Sequence, residues 1–143
     1  MLTNMLAPAA VLVLWSLVVL FWMVRTRYAA LGTAKVDLKA ARPGGRGQDL
    51  DGVLPDEVNW KAHNYTHLME QPTLFYAVSV ILALSGAGRI DVALAWAYVV
   101  IRIVHSAWQC TVNRIPVRVQ LFGLSSLCLL ILAIRAVAAT LLP

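Results

Sequence analysis

His63, His67 and Glu70 stand at i, i+4 and i+7 and share one helical face, which Asn59 extends by a turn. Further along, Tyr98, Arg102, His105 and Gln109 fall at i, i+4, i+7 and i+11, again one face. A carboxylate and a guanidinium can hold each other or the charged ends of a ligand. Imidazoles can carry protons or ligate metals. The His63/His67/Glu70 spacing, with His105 as a fourth donor, would suit a metal ion, but Arg102 beside it would repel a cation, so no metal is expected. Arg102 together with Arg114 and Arg118 points instead to an anionic, hydrophilic ligand.

These residues lie in a chain that departs strongly from a water-soluble composition. Of 143 residues, 60% are apolar and only 13% are charged, and the mean hydropathy is +0.73. Soluble domains are about half apolar and about a quarter charged. A water-soluble domain and a disordered chain are thereby excluded. The net charge of +5 does not indicate nucleic acid, because seven of the 12 basic residues lie between Arg25 and Lys61, beside an apolar segment. Cys110 and Cys128 show neither disulfide nor zinc spacing.

The elements that must position the polar residues are four membrane spans. The first covers about 6–24, roughly 30 Å of helix. It lacks a basic n-region and is too long for a signal peptide, so an uncleaved helix is expected. Residues 25–56 form a polar loop around Pro43-Gly44-Gly45-Arg46-Gly47. The second span, about 57–87, begins beside the acidic Asp56 and Glu57, is polar to Gln71 and apolar beyond Pro72. The third and fourth spans are about 90–111 and 119–142, with Pro116 marking the turn. Residues 1–143 are read as one transmembrane domain, an all-α four-helix bundle.

Basic residues concentrate in the first and third loops, where Arg114 and Arg118 lie, while the second loop carries only Arg89. The positive-inside rule then places both termini outside, N-out and C-out. The Ala/Val/Leu/Arg-rich composition suggests a bacterial inner membrane.

The second and third spans run antiparallel from a shared end near Gly86–Arg89, so depths can be compared. By helical rise, Glu70 lies about 24 Å in, Arg102 about 18 Å and His105 about 23 Å. A Glu70–Arg102 ion pair is expected, reducing the desolvation cost of both charges. Such a pair alone could serve to lock two helices. Here six or more polar groups converge on one end, more than a lock requires. Arg135, about two turns from the other end, is expected to snorkel to the interface.

The stretches Asn64-Tyr65-Thr66-His67-Leu68-Met69-Glu70-Gln71-Pro72-Thr73-Leu74-Phe75 and Tyr98-Val99-Val100-Ile101-Arg102-Ile103-Val104-His105-Ser106, followed by Asn113-Arg114, resemble the second- and third-helix signatures of the MAPEG family, the membrane-associated proteins of eicosanoid and glutathione metabolism. Length, four spans and the long first loop agree, so the resemblance covers essentially the whole chain, as a bacterial-type member.

The resemblance implies a homotrimer that binds glutathione as co-substrate in a polar cleft between subunits, open to the cytosol, with a lipophilic second substrate reached through the bilayer. It implies that Glu70 and Arg102 hold glutathione, with His63, His67, His105 and Gln109 beside it and Arg25 or Arg27 reaching in from the neighbouring subunit. His105 and Gln109 fall where such members often have tyrosine, His67 where they often have asparagine, and His63 where they have arginine. The thiol-activating arginine of some members falls at Pro116, flanked by Arg114 and Arg118, which are the catalytic candidates.

The implied chemistry is thiolate formation beside a guanidinium, since a free thiol with a pKa near 8.5 is mostly protonated at neutral pH. The expected activity is a glutathione transferase or peroxidase acting on lipophilic electrophiles in detoxification. The alternative is a non-catalytic membrane protein holding a lipid or small anionic ligand in the same cleft.

Overall fold

The structure, a computed structural model, describes residues 2–37 and 39–142; within the long first loop, residue 38 lies outside the described residues. Four helices carry the chain: α1 (Leu2–Thr33), α2 (Asp56–Leu84), α3 (Arg89–Thr111) and α4 (Ile115–Leu141). All four are long and apolar enough to cross a membrane. The protein is a multi-pass integral membrane protein.

Helix boundaries differ from the expected spans in ways that local chemistry explains. The span expected at 6–24 is part of a longer helix, because nothing from Arg25 to Leu31 breaks it and charged side chains are good helix formers in water. Pro72 cannot donate to the carbonyl of Leu68, yet α2 continues through it. Helix α2 stops at Leu84 because Gly86 takes φ +89°, in the left-handed region, and the Ala87 N–H folds back onto the Leu82 carbonyl at 2.9 Å. Asn113, at φ +55°, plays the corresponding part between α3 and α4. Helix α4 begins four residues before the expected span. Pro116 lies in its first turn, where the missing N–H is not needed.

Helix α1 packs chiefly on α2, and α4 on α3, with α2 and α3 meeting at the centre. Met5, Leu12 and Val19 of α1, spaced by seven, are fully buried against a core that includes Phe75, Ala95, Tyr98, Val99 and Leu132. The rings of Phe75 and Tyr98 stack at 4.4 Å. Large apolar side chains cover the outside, among them Leu14, Phe21, Leu74, Leu84, Leu127 and Ile134. A lipid-facing surface has this composition.

The two ends of the bundle are held differently. At the α2–α3 turn, Arg135 of α4 donates Nε and Nη2 to the two carboxylate oxygens of Asp91. The Gly88 N–H reaches the same carboxylate at 2.8 Å. Arg135, expected to snorkel, is instead tied to a buried aspartate. At the opposite end the first loop is clasped to α1 and α2. The amide of Asn59 donates to the carbonyls of Leu50 and Leu54. Arg27 Nη2 donates to the Gly47 carbonyl at 2.9 Å. A Cβ at Gly47 would come within 2.7 Å of Arg27 Nη1, so any larger residue there must displace the tip of the guanidinium.

Candidate functional site

The polar halves of α2 and α3 meet at the loop end, as their matched depths require, but the partners differ from expectation. Glu70 does not pair with Arg102. Its Oε2 lies 3.0 Å from His67 Nδ1, one turn away on the same helix, and its side chain is 62% exposed. Arg102 is fully buried between the helices, at 0% exposure. The physical reason is rotation about the α2 axis. His67 turns toward α3 and α4, while Glu70, three residues on, turns to the outer surface.

Arg102 therefore sits inside the helix bundle with little to satisfy it. Nη2 donates to the His67 carbonyl at 3.3 Å, and the guanidinium lies 5.7 Å from the Phe122 ring centroid. Nε and Nη1 have no partner among the described residues. A buried cation without a carboxylate costs several kcal/mol.

Beside it opens a cavity of about 310 Å³ lined by His67, His105, Ile115, Arg118, Val119 and Phe122. The rings of His67 and His105 are 5.3 Å apart, and His67 lies equally close to Phe122. Arg118 Nη1 donates to the Asn113 side chain at 2.8 Å, which fixes the arginine at the cavity wall, while its Nε is buried without a partner. The mouth is apolar, with Ile115 and Val119 both largely exposed.

The candidate residues thus divide. His67, His105, Arg118 and, behind them, Arg102 converge. Gln109 is buried on α3 with its Oε1 unpartnered. Arg114 is exposed, caps the start of α4 and offers its backbone carbonyl to Trp108 Nε1 at 3.4 Å. Of the two catalytic candidates, Arg118 alone lines this cavity.

His63 and Arg27 line a separate cavity of about 400 Å³ with Met23, Gly47, Gln48 and Tyr65. His63 Nε2 lies 3.2 Å from both carboxylate oxygens of Asp51. Arg25 is exposed and joins neither group. Asn59, read as a continuation of the histidine stripe, serves the loop clasp instead. Among the described residues, no three His, Cys, Asp or Glu side chains converge as metal ligands.

Sequence reasoning missed two features. Phe122, which closes the cavity, follows Arg118 at i+4, and that spacing could have found it. The second is a buried polar knot between α1, α2 and α3. Asn64 Nδ2 donates to Ser106 Oγ at 2.6 Å and lies 3.2 Å from Cys110 Sγ, while Trp15 Nε1 donates to Ser106 Oγ at 2.8 Å. Trp15, within the apolar first span, is therefore anchored by a hydrogen bond.

A four-helix, multi-pass membrane protein with a cationic, histidine-lined cavity at one end is the class defined by fold and site. The sequence profile of the MAPEG family matches residues 5–138, nearly the whole chain, and the chain belongs to that family. The family includes glutathione transferases and peroxidases as well as other members. No curated protein and no solved structure gives a significant match.

Proposed function

We propose that the protein is a membrane-bound glutathione-dependent transferase or peroxidase acting on lipophilic electrophiles, with the loop end facing the cytosol and both termini outside. The observation that carries this is Arg102, a fully buried guanidinium with two unpartnered donors behind a cavity that Arg118 lines. A ligand carboxylate would supply the missing charge, and a charge-assisted hydrogen bond to a guanidinium favours it over a neutral group. The apolar mouth at Ile115 and Val119 lets an electrophile arrive from the lipid.

The outward face of α2 supports assembly. His63, Thr66, Glu70 and Thr73 lie exposed along it, and a polar stripe carrying a carboxylate is costly against lipid. A homotrimer that buries this face would remove the cost and place Glu70, and Arg25 or Arg27 of an adjacent copy, near the ligand. The alternative, a non-catalytic binder of a lipid or small anion in a bacterial inner membrane, draws on the same apolar mouth and on Pro116.

Calorimetric titration of glutathione into detergent-purified protein tests the reading, with Arg102→Ala as control. Micromolar-to-millimolar binding that the variant loses supports it. Absence of binding by folded protein overturns it. Turnover of an electrophile separates the transferase from the binder.

A further inference from the structure

The cavity holds a proton acceptor as well as cations. Glu70 Oε2 accepts from His67 Nδ1, which places the single proton of the neutral ring on Nδ1 and leaves Nε2 as a free lone pair. Nε2 has no hydrogen-bond partner among the described residues, and the ring lines the cavity. Arg102 Nη2 holds the His67 carbonyl, so both backbone and ring are fixed. The charged and titratable groups facing this imidazole are Glu70 on its own helix, Arg102 and His105 on α3, and Arg118 on α4.

His105 lines the same cavity but has no carboxylate against it to balance a second proton; its charged neighbours are Arg102, Arg118 and His67. His67 has Glu70.

We propose that His67 Nε2 is the general base of this site: it takes the proton from the glutathione thiol, and Arg118 stabilises the resulting thiolate. Glu70 is the positioning residue, setting the ring tautomer and balancing the imidazolium. This deepens the glutathione reading and rests on it. In the transfer step the S–H bond breaks and its proton passes to Nε2. The thiolate then forms a carbon–sulfur bond at an aromatic carbon as the carbon–chlorine bond breaks. Chloride leaves, and the imidazolium returns its proton to water. Proline at residue 116, where some relatives carry the activating arginine, is consistent with a different means of removing the proton.

The test uses purified protein in detergent with glutathione and a chlorodinitrobenzene. Asparagine at His67 can keep the donor toward Glu70 while removing Nε2. His67→Asn is expected to bind glutathione, to form the ultraviolet thiolate band only at higher pH, and to lose about 10²-fold in kcat. His67→Ala is expected to recover part of its kcat on addition of imidazole, which a merely structural role would not allow. An unchanged thiolate titration and kcat in His67→Asn overturns the base while leaving the glutathione reading intact. If His67→Asn does not fold, the alanine variant decides, and failure of imidazole to rescue it counts against the base. Wild-type protein that binds no glutathione overturns both.

Discussion

Asp91 in the first turn of α3 and Arg135 in α4 are 44 residues apart and form a two-point ion pair at the end of the bundle remote from the histidine cavity. Asp91 is almost fully buried, and its carboxylate also receives the Gly88 N–H. Removing the arginine would leave a buried carboxylate with one remaining donor. Arg135→Met is expected to lower the thermal midpoint in detergent, and Asp91→Asn with Arg135→Met to recover part of the loss. Glutathione titration should be unaffected by either, since the cavity lies at the other end.

The Asn64–Ser106–Trp15 knot is a prediction about stability. Asn64 is fully buried with its Oδ1 already unpartnered, so its Nδ2 bonds are the ones that hold it. Asn64→Ala would remove one of the two donors to Ser106 Oγ and leave a small cavity, at a cost of about 1–3 kcal/mol. Unfolding in a denaturing detergent measures it. Ser106→Ala should cost a similar amount, because it leaves Trp15 Nε1 without its acceptor and Asn64 with Cys110 alone.

The stack of Phe75 on Tyr98 joins α2 to α3 just beyond the polar region. Phe75→Ala is expected to cost about 3–5 kcal/mol, as for other fully buried aromatics. Phe75→Leu, keeping most of the volume, should cost less than half of that. The same unfolding measurement checks both.

Arg27 and Asn59 hold the first loop to the bundle. Arg27→Ala removes the bond to Gly47, and hydrogen exchange should then rise over 47–54 by tenfold or more while the helix cores stay protected. Unchanged exchange would show that Asn59 alone holds the loop.

Arg118→Met tests the cavity directly. With Arg118 lining it and Arg114 outside it, the first substitution should lower electrophile turnover by about 10²-fold. Arg114→Met should lower it by less than threefold, read from initial rates with glutathione in excess.

Much of this was legible in the sequence. Four spans follow from runs of apolar residues long enough to cross a bilayer, and the family from the stretches around Glu70 and Arg102. That the polar stripes of α2 and α3 lie toward the same end of the bundle follows from helical rise alone. The pairing did not follow, because depth constrains position along an axis and says nothing of rotation about it. Glu70 and Arg102 matched in depth, yet Glu70 faces outward and pairs with His67. Arg135 could not be matched to Asp91 for the same reason: one unpaired arginine near a span end is read as snorkelling until the neighbouring helix is placed.

Membrane insertion, helix number and the polar end of the bundle are determined by composition and period, which are local properties of the chain. Only the tertiary structure decided that Arg102 is buried without a carboxylate, that Arg118 and not Arg114 reaches the cavity, and that His63 belongs to the loop clasp. These depend on how each helix is turned against its neighbours. That rotation is set by packing of the buried face, Met5 to Val19 against Phe75, Tyr98 and Leu132, rather than by the polar residues themselves.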